Sequence, residues 1–322
     1  MKKILIIGAR GMLGQELVKI FKGDKNYKVV AWDKADIDIT REKEVSKKIS
    51  IIHPEIILNA AAYNAVDKCE NKKEYETAKK VNGEAPSFLA AAAKKNKAIL
   101  VHYSTGYVFN GLPASTRGDR LSTRGGPEIP EPTGCTHSCA SCSLHADFVP
   151  EIGFSEDDKP KPINAYGKTK LLGEKAVAKN TKKYYLIRTA ELFGRKAADG
   201  TEVDFFARML VLRNKNEEMQ VVDEEIISFA YAPDVARKTK EIIDAQKPFG
   251  LYHMANSGSA TEYEACLELF GLLKIKTAVV PVSREEMPLP AKRPYCSVLL
   301  NTKLNPLRSY KDALKEYLKE LK

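Results

Sequence analysis

Through the first 190 or so residues, short dense runs of apolar residues alternate with longer stripes in which apolar positions recur at helical spacing. Lys3 to Ile7 is a β-rich run that stops at a glycine, and a helical stripe follows from Met12 to Phe21. Val29 to Trp32 predicts a second strand ending at Asp33, Glu42 to Ile51 a helix, and Ile56 to Leu58 a third strand ending at Asn59. One long helix is expected from about Glu74 to Lys95, then a fourth strand from Ile99 to Tyr103. Strands alternating with helices of this length imply βαβ units and a parallel sheet. Right-handed crossovers place the helices on both of its faces, so the class is α/β and doubly wound.

After Tyr103 the rhythm breaks. No periodicity is visible from about Gly111 to Pro162, where Gly, Pro, Ser and Thr dominate. A helix is predicted again from about Asn164 to Lys179 and a strand from Tyr184 to Arg188. Beyond Thr189, shorter strands mix with helices at Asp234 to Ala245, Thr261 to Leu272 and Tyr310 to Leu321. This smaller α+β region is expected to cap the carboxyl ends of the strands, where doubly wound sheets bind their ligands. The expected division is a first domain over 1–188, with an inserted loop at about 112–153, and a mainly substrate-binding region over 189–322 that partly returns to the sheet. Residues 112–158 contain no lysine, although the chain has 39 lysines against 13 arginines. That bias marks the stretch as an insertion of different compositional history, too long for a plain connection in a compact domain.

Composition narrows the class. With 43% hydrophobic and 29% charged residues the chain reads as a globular, water-soluble protein. Its longest apolar runs, such as Ile4 to Ile7 and Leu89 to Ala93, are too short to cross a bilayer. Two lysines precede the first run, but Gly8-Ala9-Arg10-Gly11 interrupts it early, which favours a buried strand over a secretory segment. A cytoplasmic location without a membrane partner is therefore expected. The net charge of +10 invites a nucleic-acid reading. The lysines, however, are spread through amphipathic helices such as Lys43 to Lys48 and Lys311 to Lys322, with no basic stripe interleaved with aromatics. A solvated surface, attractive to an anionic nucleotide substrate, is the better account, and no nucleic-acid partner is expected.

Gly8-Ala9-Arg10-Gly11-Met12-Leu13-Gly14 is a G-x-x-G-x-x-G run that follows a strand and opens a helix. Glycines let the backbone turn tightly and approach a pyrophosphate, whose charge the helix N-terminus stabilises. Asp33 closes the second strand about 20 residues on, the context of a dinucleotide site in a Rossmann-type fold. Its carboxylate would accept hydrogen bonds from adenosine ribose hydroxyls, favouring NAD, whereas Arg10 and Lys34 would hold a 2′-phosphate, favouring NADP. Either cofactor fits. Asn59-Ala60-Ala61-Ala62 after the third strand offers small residues against which it would lie.

Tyr166-Gly167-Lys168-Thr169-Lys170 is Y-x-x-x-K on a predicted helix, where the i, i+4 spacing puts Tyr166 and Lys170 on one face. A nearby ammonium favours the phenolate, so such a tyrosine exchanges a proton near neutral pH. Lys170 would also hold the nicotinamide ribose. The fourth strand runs on into Ser104-Thr105, where a hydroxyl would bond a substrate carbonyl as hydride arrives.

Together these residues resemble the extended short-chain dehydrogenases, and more closely the dTDP-4-dehydrorhamnose reductases, over nearly the whole chain apart from the insertion. The matching stretches are Gly8 to Gly14, Asn59-Ala60-Ala61-Ala62-Tyr63 with Val66-Asp67, Ser104-Thr105 with Tyr107-Val108-Phe109, Glu156-Asp157-Asp158, and Asn164 to Lys170. They continue with Tyr231-Ala232-Pro233-Asp234, His253 to Gly258, and Lys292-Arg293-Pro294 followed by Ser297-Val298-Leu299. The resemblance implies reduction of a 4-keto nucleotide sugar by NADPH or NADH. Thr105, Tyr166 and Lys170 fall on the catalytic positions, with Tyr166 as general acid to the C4 oxygen, and Tyr107 and Arg293 on the substrate side. The expected partner is a nucleotide-sugar substrate; a homodimer is an open option.

Three places depart from the family's pattern: Gly106 stands for aspartate, Glu191 for tryptophan, and Glu225 to Ala230 replaces Gln-x-Gly-x-Pro-Thr. Substrate-facing residues have thus changed while cofactor and proton-transfer residues are kept. Two other readings follow, an epimerase or dehydratase of the same superfamily and a non-catalytic regulatory subunit; the intact Thr105, Tyr166 and Lys170 set argues against the latter.

Of six cysteines, Cys69, Cys266 and Cys296 lie in ordinary segments and are expected as reduced thiols. Cys135, Cys139 and Cys142 cluster with His137 and His145 inside the insertion. Reduced thiols without a metal are expected there too. The alternatives are a zinc held by the three cysteines with His137 or His145, or an iron–sulfur cluster. The spacing also looks like a radical-SAM motif, but nothing around it supplies the barrel those enzymes need.

Overall fold

The computed structural model describes residues 1–112, 152–198, 200, 204–213 and 218–321. The expected insertion falls mostly outside them, and so do Cys135, His137, Cys139, Cys142 and His145.

Six strands make one all-parallel sheet: β1 (Lys2–Ile7), β2 (Tyr27–Trp32), β3 (Ile56–Asn59), β4 (Ile99–Thr105), β5 (Tyr184–Thr189) and β9 (Gly250–Met254), in the order β2-β1-β3-β4-β5-β9. Side chains alternate across it. Ile4, Ile6, Val101, Tyr103 and Ile187 face α1 (Met12–Lys22) and α7 (Ala232–Asp244), meeting Leu17, Phe21, Val235 and Ile242. Leu5, Ile7, Ile57 and Leu100 face α2 (Glu42–Ile52), α4 (Ala85–Lys95) and α5 (Ala165–Asn180), meeting Ile49, Leu89, Ala93 and Val177. Burial on both faces is why these strands read as unbroken apolar runs. The chain goes from β1 outward to β2 and returns past β1 to β3, so the strand order reverses between β1 and β3. In doubly wound sheets the flanking loops part at such a reversal, which is where a ligand crevice forms.

The single helix expected over 74–95 is two helices. α3 (Lys72–Ala78) leads into a π-turn at Lys79–Glu84, and α4 follows. Pro86, at the start of α4, has no N–H to give the carbonyl of Asn82, so the i→i−4 ladder slips by one residue. The slip turns Asn82 inward, where it bonds both backbone groups of Tyr63 (2.8 and 2.9 Å) and Thr169 Oγ1 (3.2 Å).

The remaining elements stand over the carboxyl end of the sheet. β6 (Glu191–Phe193), β8 (Ile227–Tyr231) and β11 (Ser259–Ala260) form a three-stranded sheet in the order β11-β8-β6. β7 (Glu218–Val222) pairs with β12 (Ala278–Val282), and β10 (Asn256–Ser257) with β13 (Leu307–Ser309). Helices α6 (Phe205–Leu212), α8 (Glu262–Leu273) and α9 (Tyr310–Glu320) close a second core around Phe193, Phe206, Phe229, Leu269 and Tyr317. Past the undescribed stretch the chain is tied down at once: Phe154 exchanges backbone bonds with Val298 and Leu300 (both 2.8 Å) and stacks on Phe109 with centroids 4.1 Å apart.

Phe229 is fully buried, with its ring 5.2 Å from those of Phe206 and Tyr310. Phe229→Ala is expected to cost about 3–5 kcal/mol of stability, read from denaturant unfolding. A loss below about 1 kcal/mol would show that this core can collapse around the cavity.

Candidate active site

The crevice is built by the turn after β1. Gly8 has φ +79°, and its N–H and that of Ala9 both bond the Trp32 carbonyl, at 2.9 and 3.0 Å. A Cβ on Gly8 would lie 2.6 Å from the Ala61 nitrogen, and one on Gly14 would lie 1.9 Å from the Gly8 carbonyl oxygen. Side chains are therefore excluded at both positions by backbone. Gly11 differs. It is the N-cap of α1, offers no side-chain cap, and a Cβ there would meet nothing nearer than the Gly8 oxygen at 3.4 Å. The side of Gly11 is thus open beside the first-turn N–H groups of α1, a cradle that fits a pyrophosphate. Met12 and Leu13 are buried and anchor that turn in the core.

Asp33 stands beside it. Its carboxylate accepts the N–H of Arg10 (2.9 Å) and of Lys34 (2.7 Å), while the Arg10 and Lys34 side chains are exposed. The segment after β6 leans on the same turn: Ala198 N–H bonds the Arg10 carbonyl (2.9 Å) and the Gln15 amide bonds the Lys196 carbonyl (2.9 Å). Nothing in the sequence pointed to that contact. Asn59 is buried, and its amide pairs with His102 Nδ1 (3.0 Å) and accepts Ala61 N–H (3.3 Å). It therefore shapes the Ala60-Ala61-Ala62 loop rather than presenting its side chain to the crevice. Burial holds His102 well below the usual histidine range, and the charge of Lys170 adds to this, so the ring is neutral.

The Y-x-x-x-K face comes next. Asn164 caps α5 by accepting Gly167 N–H (2.8 Å), and its amide ties the cap to the Lys292 carbonyl (2.9 Å). A Cβ on Gly167 would lie 2.1 Å from the Tyr107 carbonyl oxygen, so only glycine lets α5 touch the 3₁₀ turn Gly106–Val108 that follows β4. This close approach sets Tyr166 edge-on to Tyr107, with centroids 6.2 Å apart. Of the two hydroxyls ending β4, Ser104 turns away and donates to Glu174 (2.5 Å). Thr105 stays half-buried at the strand end, accepting Tyr107 N–H at 3.2 Å.

Lys170 is 3% exposed and donates to the Tyr103 carbonyl at 2.6 Å. Burial pushes its pKa down to about 8, against the pull of the Glu174 carboxylate. Glu174 in turn holds Arg188 of β5 through two bonds, at 3.0 and 2.8 Å, with both side chains buried. The Arg188 guanidinium also lies 4.9 Å over the Phe109 ring. Sequence reasoning missed both residues, although Glu174 follows Lys170 by one helical turn and therefore shares its face.

On the outer side of the cleft, Arg293 bonds Asp67 through both nitrogens (3.0 and 2.8 Å), so much of its donor capacity is already used. Arg284 forks onto Glu225. Glu191, at the start of β6, is solvent-accessible, yet surrounding protein and then the charge of Glu262 raise its pKa to about 7. Cys69, Cys266 and Cys296 are buried thiols outside any disulfide, and no group of three metal-ligating side chains occurs among the described residues. No helix among them is long and apolar enough to cross a membrane.

The sheet order and the glycine turn are those of the Rossmann-type reductases and epimerases. A family model, the RmlD substrate binding domain, matches residues 1–124 and 146–322, and the chain belongs to that family. The matched residues skip 125–145, the stretch that carries the clustered cysteines. The chain is 30% identical to the spore coat polysaccharide biosynthesis protein SpsK of Bacillus subtilis (strain 168), covering 99% of this chain and 98% of that one. A crystal structure of a dTDP-4-dehydrorhamnose reductase from Clostridium acetobutylicum matches with a TM-score of 0.82 and 35% identity over 99% of each chain. That of the dTDP-4-dehydrorhamnose reductase from Bacillus anthracis in complex with NADP matches with a TM-score of 0.81 and 29% identity, over 99% of this chain and 100% of that one.

Gly11→Val is expected to abolish binding of the dinucleotide while leaving the thermal unfolding midpoint near that of the unmodified protein, because the added side chain fills only the open cradle. Gly14→Val, which strikes the Gly8 backbone, should instead lower stability. Titration of NADPH against Gly11→Val that matches the unmodified protein would remove this turn from the site.

Proposed function

We propose that this chain reduces a 4-keto, nucleotide-activated deoxysugar with NADPH or NADH, in the manner of a dTDP-4-dehydrorhamnose reductase. The observation that carries the reading is the Tyr166–Lys170 face of α5, held against the end of β4 beside Thr105 and across the sheet from the glycine turn. Family membership and the NADP complex of the Bacillus anthracis relative support it.

In this reading the pyrophosphate lies on Gly8, Arg10, Gly11, Met12, Leu13 and Gly14. Asp33, Arg10 and Lys34 surround the adenosine ribose, and Ala60 to Ala62, shaped by Asn59, form the wall beneath. A bound nicotinamide supplies the hydride to the C4 carbon. Tyr166 gives its phenolic proton to the C4 oxygen, and the Thr105 hydroxyl bonds that oxygen as charge develops on it. Lys170, fixed by the Tyr103 carbonyl, holds the nicotinamide ribose and favours the phenolate left on Tyr166. Tyr107 and Arg293 face the substrate. The same reading expects a cytoplasmic enzyme; a homodimer is an open option, which light scattering would decide.

The direct test is NADPH oxidation screened over 4-keto nucleotide sugars. Tyr166→Phe is expected to lower kcat at least about a hundredfold with little change in NADPH affinity. Because burial depresses the Lys170 pKa, its charge is present at lower pH and is lost as pH rises through about 8. The value of kcat/KM should therefore fall above that pH. Turnover of Tyr166→Phe near that of the unmodified enzyme would remove the phenol from the mechanism.

A further inference from the structure

Arg293 leaves one edge of its guanidinium unspent. The group has five N–H donors. One terminal nitrogen, Nη1, gives to Asp67 Oδ1 at 3.0 Å and to the Ala291 carbonyl at 2.9 Å. The other, Nη2, gives one hydrogen to Asp67 Oδ2 at 2.8 Å. Asp67 Oδ1 also accepts the Ala291 N–H at 3.1 Å, so the carboxylate grips both the side chain and the backbone of this strip. What remains is Nε–H and the second Nη2–H, side by side on one edge, and no described residue accepts from them. Elsewhere in the protein that same edge holds a carboxylate: Glu174 on Arg188, Glu225 on Arg284 and Asp234 on Arg308.

Both partners are fixed to the start of α5. The 3₁₀ turn Lys68–Glu70, directly after Asp67, reaches it through Glu70, whose carboxylate accepts the Ala165 N–H at 2.9 Å. The strip that carries Arg293 reaches it through the Lys292 carbonyl, which accepts the Asn164 amide at 2.9 Å. A Cβ on Gly111 would lie 2.6 Å from the Tyr295 nitrogen, and one on Gly106 3.0 Å from the Ser297 carbonyl oxygen. The same strip therefore runs along the turn after β4. Arg293 acts by its charge on the Tyr107 phenol, and Tyr107 in turn packs on Tyr166. The Arg293 side chain is only 13% exposed. Burial works to raise the Asp67 pKa, but the bonds from Arg293 and Ala291 outweigh it, and the carboxyl stays ionised.

A guanidinium edge with two parallel N–H groups matches two oxygens of one phosphate. A loose arginine must lose rotamer freedom to make that contact, and holding it in place beforehand removes this cost from binding. Asp67 adds no positive charge to the site; it adds direction. We propose that Asp67 is a positioning residue for the substrate, holding Arg293 by its end so that the unspent side edge grips a phosphate of the nucleotide sugar beside Tyr107. The proposal rests on the reductase reading above for the identity of that substrate. It places the grip on the nucleotide's phosphates, apart from the reacting carbonyl that Thr105 and Tyr166 serve.

The test uses the full chain, with thymidine diphosphate as the probe in calorimetry. Asp67→Asn keeps the size and one acceptor oxygen but cannot accept from Nη2, so the fold is spared, and the thermal unfolding midpoint checks this. It is expected to weaken thymidine diphosphate binding about tenfold, as for loss of a hydrogen bond to a charged group, with NADPH affinity unchanged. With a 4-keto nucleotide sugar, KM should rise by a similar factor while kcat changes little. Arg293→Ala should show the same selectivity. The double variant should bind the diphosphate no more weakly than Arg293→Ala alone, because Asp67 acts through Arg293. Losses that add in the double variant, or that fall equally on NADPH, mark a merely structural role and would overturn the proposal. Tighter diphosphate binding by Asp67→Asn would overturn it as well, by showing that the carboxylate only competes for the guanidinium. If the unmodified protein binds thymidine diphosphate yet reduces no 4-keto nucleotide sugar, the reductase reading fails, and the binding comparison still decides this proposal.

Discussion

The Glu174–Arg188 ion pair sits buried between α5 and β5, and Ser104 of β4 donates into the same carboxylate. Three elements are thereby clamped at one depth in the sheet. Breaking such a pair strands a charge away from water, a loss of about 3–5 kcal/mol, so the clamp tolerates little sliding of α5 along β4. Gly167 sets the other limit, since only its missing side chain lets the start of α5 reach the Tyr107 carbonyl. Between these two contacts α5 has one position. In that position Tyr166 is beside Tyr107 and Lys170 is under the Tyr103 carbonyl.

Charge is distributed around this clamp with a consistent logic. Glu174 is fully engaged, yet its field still works against the burial that depresses Lys170. His102 is kept neutral by burial and then by the charge of the lysine. Of the two buried cations of the clamp, Arg188 is paired with Glu174 and Lys170 is the one that lies on the Tyr166 face of α5. At the rim, Asp67, Glu225 and Glu262 each pair with an arginine.

The second core supports that rim. β6 continues directly from β5, so the strand that delivers Arg188 to the clamp also delivers Glu191 to the cleft, and Phe193 to the core behind it. Asp234, bonded by Arg308 and Asn256, fastens α7 to β10 and β13 and so joins this cap to the helix packed on α1. The chain thus returns to the sheet through β9 midway, with β6 to β8 and α6 of the cap before it and β10 to β13, α8 and α9 after it.

Elements with strong local causes were legible from the sequence. Short apolar runs buried on both faces suit central parallel strands, and β1, β3, β4 and β5 fall where those runs lie, while the edge strand β2 is only partly buried. The glycine turn was legible because backbone contact at Gly8 and Gly14 admits no other residue. Tyr166 and Lys170 were legible because a helix fixes the spacing of its own face. The π-turn at Lys79–Glu84 was not, since its cause is a lost hydrogen bond at Pro86 whose effect is the inward Asn82. Nor was the fate of Ser104 and Thr105, which look alike in a strand until the sheet decides which face meets α5. The sequence by itself determined β1 to β5, the glycine run and the Tyr166–Lys170 face, because apolar runs and fixed spacings are signals carried by a few consecutive residues. Only the tertiary structure decided that Glu174 meets Arg188, that Asn59 belongs to His102, and that Ala198 rests on the Arg10 turn, because those pairings join residues that only packing brings together.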